Sequence, residues 1–128
     1  MNSLYIDETK FTMKIDFNAE TGICNMSGNS YPEDAISFFE QINKWLSDYV
    51  SSIKSPLIFN ITLNYLNSSS SKCFMDIFDL LEDYHCEGGN VTVNWYYNEN
   101  DDEIKDSGEE LLEDVTFTVN YIIINSGK

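Results

Sequence analysis

Basic residues are scarce in this chain. Seven lysine and arginine residues stand against 22 aspartate and glutamate residues, which gives a formal net charge of -15. Because phosphate backbones are bound by clustered basic side chains, we expect no nucleic-acid partner. An anionic membrane surface is disfavoured for the same reason. A basic protein surface is the natural complement of such a chain, although acidity can also serve solubility alone.

Cysteine and histidine are also few. The three cysteines show no CxxC spacing, which is typical of reduced thiols in a cytoplasmic protein. His85, the one histidine, has only Cys86 beside it, and a metal site needs more ligands. The sequence contains neither a GxSxG nucleophile elbow nor a glycine-rich phosphate loop. We therefore expect no enzyme activity, no cofactor and no metal.

Export and membrane signals are missing as well. The first ten residues, MNSLYIDETK, lack the basic-then-apolar pattern of a signal peptide, and no apolar run has the length of a membrane span. We expect a cytoplasmic protein. The 128 residues, 42% of them hydrophobic, are enough for one domain with a substantial core, which we place at residues 1–128.

Apolar patterning predicts alternating strands and helices. Period-two alternation at 11–17 and a short strand from 23 to 26 predict an antiparallel hairpin, with a turn at Gly22. Ser30 to Glu33 has the form of a capping box, which predicts a helix from there to about Ser51. Further strands are predicted at 57–63, 91–97 and 116–123, and further helices at 69–85 and 101–113, although Gly108 weakens the last.

This order, β-β-α-β-α-β-α-β, predicts a single α/β domain. Strands separated by helices require crossovers, so the sheet should be mixed and mostly parallel, with an antiparallel N-terminal hairpin. The buried faces of the first two helices follow from spacings of three and four residues. They comprise Ala35, Phe39, Ile42, Leu46 and Tyr49, joined by Ile36, Phe38, Trp45 and Val50, and then Phe74, Ile77, Phe78, Leu81 and Tyr84.

Four consecutive serines, Ser68 to Ser71, stand between a predicted strand and the second helix. The first amides of a helix lack internal partners and lie at the positive end of its dipole. Asn67 or a serine there can cap the helix, worth about 1 kcal/mol. A phosphoserine there would add a charge of about -1.5 to -2, which Lys72 could help to neutralise. Both interpretations remain open at this point.

Two acidic patterns have simpler readings. Asp76, Asp79 and Asp83 share one face of the second helix, which indicates its solvated side or the rim of a docking surface. Residues 98–109 loosely resemble a calcium loop, but Glu103 replaces the glycine that such a loop requires. We interpret that stretch as an acidic loop.

Three stretches resemble the SiaC family of bacterial biofilm-regulation phosphoproteins. They are YLNSSSSKCFMDIFDLLE (65–82), GNSYPEDAISFFEQINKW (28–45) and NVTVNWYYNENDDEI (90–104). The resemblance runs roughly from residue 18 to 118. It implies a STAS-like fold, similar to that of anti-sigma-factor antagonists.

The same resemblance implies a partner-switching function. In the family, a serine/threonine protein kinase phosphorylates a hydroxyl that directly follows Leu-Asn, and a PP2C-type phosphatase removes the phosphate. The unmodified form binds and activates a diguanylate cyclase, which makes cyclic-di-GMP. Ser68 occupies the acceptor place here, with Ser69 as second choice. Asn67, Ser69 and Lys72 would support the site, with Asp76 and Asp79 beside it. The alternative is a STAS-like domain that senses a small molecule such as a nucleotide or lipid.

Overall fold

The computed structural model describes residues 1–124, so the last four residues of the predicted 1–128 domain lie outside the described part. Nine elements follow one another along it. They are β1 (Leu4–Ile6), β2 (Lys14–Phe17), β3 (Ile23–Ser30), α1 (Ala35–Ser52), β4 (Leu57–Leu66), α2 (Ser68–Cys86), β5 (Val91–Asn98), α3 (Asp102–Leu111) and β6 (Thr118–Ile124). Within this range, none of the helices has the length and apolar character needed to cross a bilayer.

The six strands form one mixed sheet in the order β1-β2-β3-β4-β5-β6. The first three strands pair antiparallel, and β3, β4, β5 and β6 pair parallel. The predicted mixed α/β sheet with its N-terminal hairpin is confirmed. Strand β1 was not predicted, because three residues are too few to show alternation.

All three helices cover the same face of the sheet. Each parallel strand lies beside the next in sequence, so every right-handed crossover places its helix on the same side. Burial agrees, because alternate residues of the central strands are buried and those between them are half-buried or exposed. Every residue predicted as the buried face of α2 is buried. In α1, Phe38 and Val50 are only half-buried, and Ile36 has 76% of its surface exposed.

The start of α1 differs from the prediction. Asp34, rather than Ser30, caps the helix, and its carboxylate accepts from the Ser37 amide at 3.1 Å and from the Ser37 hydroxyl at 2.8 Å. These bonds lower the pKa of Asp34. The predicted capping box is therefore wrong: Ser30 still belongs to β3 and is fully buried.

The acidic stretch after β5 forms the helix predicted at 101–113, so the interpretation of residues 98–109 as an acidic loop is wrong. Asp101 caps α3 by accepting from the Ile104 amide at 3.1 Å, and Asp102 and Glu103 occupy the first turn, where the helix dipole favours negative charge. Because α3 spans residues 102–111, the open conformation of a calcium loop is not formed there.

Gly108 lies inside α3, where glycine costs helix stability. A glycine is required here because the Trp95 side chain packs against it. Trp95 is fully buried and donates from Nε1 to the Ile104 carbonyl at 3.0 Å. A Cβ at Gly108 would collide with the indole ring. The glycine lets α3 approach the sheet closely.

We expect Gly108→Ala to destabilise the protein. Overpacking costs about 1–3 kcal/mol, and a Cβ that would overlap the ring of a fully buried tryptophan belongs in the upper part of that range. This cost exceeds the gain of about 1 kcal/mol from alanine's helix propensity. Urea unfolding should therefore show a net loss of about 1–2 kcal/mol. Ser107→Ala, at the half-buried neighbouring position, is the control and should change stability little. A Gly108→Ala protein as stable as wild type would contradict this account of the glycine.

Glu82 ties α2 to the segment before β6. Its carboxylate accepts from the Thr116 hydroxyl at 2.7 Å and from the Thr116 amide at 2.8 Å. Bonds to the ionised form favour ionisation, so Thr116 lowers the pKa of Glu82, its hydroxyl more than its amide.

This lowered pKa gives a pH-dependent contribution to stability. The contribution is complete above the ordinary glutamate pKa and is lost as the pH falls through the lower folded pKa. At about pH 7, we expect the Glu82→Gln protein to be less stable than the Glu113→Gln protein. The second variant is the control, because it removes the same charge from an exposed position. The difference should shrink toward about pH 3 in urea-unfolding series. A difference that stays constant with pH would show that ionisation of Glu82 is not its source.

Candidate functional site

Three helices begin at one edge of the sheet, where the parallel strands end. Their caps are Asp34 for α1, Asn67 for α2 and Asp101 for α3. The cap of α2 alone is neutral, and its first turn contains no acidic residue. The positive end of this helix dipole is therefore not offset by a carboxylate of its own first turn.

Asn67 fixes the start of α2. Its side-chain oxygen accepts from the Ser70 amide at 2.8 Å, and its carbonyl accepts from the Ser71 amide at 3.0 Å and the Ser71 hydroxyl at 3.2 Å. The predicted cap is thus Asn67 rather than one of the serines. The side chain of Asn67 therefore caps the helix in place of a serine hydroxyl.

The four serines have different environments. Ser68 and Ser69 are exposed, and Ser71 is half-buried. Ser70 is fully buried, and its hydroxyl oxygen accepts a hydrogen bond of 2.8 Å from the Ser30 hydroxyl at the end of β3. The structure therefore gives Ser70 a packing role, which the uniform serine run could not indicate.

Two clefts flank the start of α2. The first separates it from α1 and is lined by Ser69 and Lys72 together with acidic Glu33, Asp34 and Asp76. Ser68 does not line this cleft. The second separates α2 from α3 and is lined by Lys72 and Asp79, with four further acidic side chains, Glu82, Glu110, Glu113 and Asp114.

The predicted site residues divide into two groups. The structure brings together Asn67, Ser68, Ser69 and Lys72 in the first turns of α2. Asp76 and Asp79 are exposed farther along the helix. At a rise of about 1.5 Å per residue, Asp76 lies about 12 Å from Ser68 along the helix axis, and Asp79 lies farther still. They form an acidic flank of the site and are too distant to hold a group on Ser68.

Sequence reasoning missed an aromatic cluster at the same edge. Tyr31 lies between Phe11 and Tyr65, edge-to-face with both, with ring centroids 5.3 and 5.2 Å apart. Phe11 is 50% exposed and Tyr65 is 47% exposed. Because these residues come from three separate segments, no local pattern in the sequence could have grouped them. Tyr65 precedes Ser68 by three residues, which places the cluster beside the start of α2.

The acidic charge is largely uncompensated within the protein. Among residues 1–124, the one ion pair within 4.0 Å is Lys44 Nζ to Asp48 Oδ2 at 3.7 Å, and it is exposed. Lys72 is therefore not committed to a carboxylate of the described chain. Its ammonium group is available to a newly added anion.

Comparison with known proteins gives consistent relatives. A family described as SiaC family regulatory phosphoprotein matches residues 6–124. An uncharacterized protein of Pseudomonas aeruginosa strain UCBPP-PA14 is 36% identical over 117 residues, which is 91% of this chain and 93% of that protein.

Solved structures agree over nearly the whole chain. The crystal structure of apo-SiaC from Pseudomonas aeruginosa is 34% identical with a TM-score of 0.91, covering 95% of this chain and 99% of that one. A second match, also 34% identical with a TM-score of 0.91, comes from the crystal structure of the Pseudomonas aeruginosa diguanylate cyclase SiaD in complex with its activator SiaC. It covers 94% of this chain and 99% of that one.

The buried serine pair leads to a stability prediction. Ser70→Ala leaves the Ser30 hydroxyl without its partner in the core, which should cost about 1–3 kcal/mol in urea unfolding. The double variant Ser30→Ala/Ser70→Ala leaves no hydroxyl of the pair behind and should lose less than the sum of the single variants. Strictly additive losses would show that the two hydroxyls do not interact.

Proposed function

Because the chain belongs to the SiaC family of regulatory phosphoproteins, we propose that its binding to a diguanylate cyclase is controlled by phosphorylation at Ser68. The unmodified protein binds and activates the cyclase, and phosphorylation releases it. The relative in Pseudomonas aeruginosa, SiaC, forms a complex with the cyclase SiaD as its activator. The observation that carries the proposal is an exposed Ser68 hydroxyl at the start of α2, the helix of the described chain whose cap is neutral.

Accessibility and surroundings favour Ser68 over the neighbouring serines. Ser70 is buried, so a kinase cannot reach its hydroxyl without local unfolding. Ser71 is half-buried and donates to the Asn67 carbonyl. Ser69 is exposed but borders the cleft that holds Glu33 and Asp34, where a phosphate would meet like charge. Ser68 is exposed and does not line the acidic cleft.

The protein itself tolerates a phosphate at this place. The N-terminal end of α2 carries positive partial charge, and Lys72 lies one turn farther along the helix. The cost falls on the partner. A partner that had packed closely against the neutral Ser68 hydroxyl would have to accommodate a bulky, hydrated dianion in the same space. The cost of burying that dianion outweighs its attraction to basic residues on the partner.

The aromatic cluster supplies the apolar part of the docking surface. Partly exposed tyrosine and phenylalanine rings are typical anchors of protein interfaces, and charged side chains around them form the rim. Asp76 and Asp79 fit that rim on the α2 side. Their charge adds to that of the phosphate and increases the repulsion of any carboxylate on the partner.

A kinase and a phosphatase complete the cycle. We assign the first step to a serine/threonine protein kinase and the reverse step to a PP2C-type phosphatase, as the family resemblance implies. The chain itself acts by binding and not by catalysis. The three free thiols, together with a kinase that uses ATP, favour action in the cytoplasm.

The test is the affinity of four proteins for the cyclase encoded by the same organism. We expect wild type and Ser68→Ala to bind equally. Wild type phosphorylated at Ser68 should bind at least about a hundredfold more weakly, since losing a well-packed contact costs a few kcal/mol. Ser68→Asp should weaken binding less, because it adds one charge instead of about two. Calorimetry and cyclase turnover measure the two effects.

Ser69→Asp is the matched control, because it adds the same charge one residue along at another exposed position. It should weaken binding less than Ser68→Asp does. Equal affinity of the Ser68-phosphorylated and unmodified proteins would refute the switch. Phosphopeptide mapping that finds the phosphate on Ser69 instead would move the acceptor and leave the mechanism intact.

A further inference from the structure

Within residues 1–124, the sheet has a second face that no helix covers. Within β3, β4, β5 and β6, the outward-pointing residues fall into three rows of four that are in register across the strands. We call these twelve residues the open-face grid. They are Ile23, Ile58, Thr92 and Thr118 in the first row, Asn25, Asn60, Asn94 and Asn120 in the second, and Ser27, Thr62, Tyr96 and Ile122 in the third.

The middle row is a continuous ladder of side-chain amides. Asn60 Nδ2 donates to Asn25 Oδ1, Asn94 Nδ2 to Asn60 Oδ1, and Asn120 Nδ2 to Asn94 Oδ1, each at 2.9 Å. Such a ladder requires an asparagine at the same register position on four successive strands. It spans the whole parallel part of the sheet.

The two inner amides of the ladder leave half of their hydrogen-bonding capacity unused. An asparagine side chain has two N–H donors and an oxygen with two lone pairs, and each inner amide uses one donor and one lone pair within the row. Each therefore has one donor and one acceptor left to offer. A row that presents both kinds of group in equal number is complementary to a copy of itself.

The grid carries no charge, although the chain carries 22 acidic residues. Charges begin only at β2, where Lys14 and Asp16 continue two of the rows. The grid also exposes apolar surface, since Ile23 and Ile58 lie side by side and are 38% and 36% exposed. The grid therefore offers no carboxylate with which a basic partner could form an ion pair.

We propose that the open-face grid is the contact surface of a symmetric dimer of this chain. Two molecules with a net charge of -15 repel one another wherever carboxylates face each other. The grid is a face on which two copies can meet without opposing charges. A two-fold axis brings the same patch together from both sides, which suits a self-complementary row of amides.

The available area indicates a weak dimer. The three rows of the grid cover about 20 Å along four strands about 4.8 Å apart, or about 400 Å² on each copy, so face-to-face contact buries about 800 Å² in total. That is below the size of a standard specific interface and in the range of weak, transient contacts. The dimer should therefore form at micromolar or higher concentration, and salt should strengthen it by screening the repulsion between the two copies. Ser68 lies at the edge of the helical layer, so it stays accessible in this arrangement.

Sedimentation velocity over about 1–500 µM, at low and high salt, tests the proposal. Wild type should shift with concentration from 14.7 kDa toward twice that mass. Asn94→Asp puts a carboxylate in the middle of the ladder and should weaken dimerisation at least about tenfold. The matched control Asn90→Asp makes the same exchange at an exposed position outside the grid and should behave as wild type.

A second variant separates loss of contact from loss of folding. Thr118→Glu lies on the grid at an exposed edge position outside the ladder, and it too should weaken dimerisation while its circular dichroism spectrum stays native. A wild-type protein that remains monomeric throughout the concentration series overturns the proposal. The proposal is also overturned if Asn90→Asp weakens dimerisation as much as Asn94→Asp does. It is overturned as well if folded Thr118→Glu dimerises as strongly as wild type.

Discussion

The hydrogen bond from the Ser70 amide to the Asn67 side chain sets where α2 begins, and the candidate site depends on that position. It turns Ser70 inward, where the Ser30 hydroxyl meets it, and leaves Ser68 exposed on the first turn. A start one residue later would turn Ser71 inward in place of Ser70 and would leave Ser69 in the exposed first position of the helix. A single amide cap thus decides which serine is structural and which is available to an enzyme.

The distribution of charge separates two surfaces of the molecule. Carboxylates concentrate on the helical layer, around the clefts beside α2. The opposite face of the sheet carries none over its four parallel strands. A basic partner is directed toward the first surface and an uncharged one toward the second, so two kinds of contact can form at once without competing.

Much of this structure is visible in the sequence, and the failures have physical causes. The buried stripe of α2 was predictable because five apolar residues recur at helical spacing. The cap of α1 was not, because Ser30 and Asp34 both have the right chemistry and only the length of β3 decides between them. The candidate site was recognisable in the sequence as a helix start rich in hydroxyls. The burial of Ser70 was not, since its partner lies 40 residues away. The amide ladder likewise depends on strand register, which a single sequence does not fix.

The sequential strand order has a consequence for biosynthesis. Every strand pairs with the strand that precedes it in the chain, and none has to wait for a distant one to be made. The sheet can therefore extend strand by strand as the polypeptide leaves the ribosome, each βα unit docking on the last. Each closure of the parallel strands spans one βα unit, so the entropic cost of an addition does not grow as the sheet extends. Even a nascent chain can bury its new apolar surface promptly, which limits the time during which it is open to aggregation.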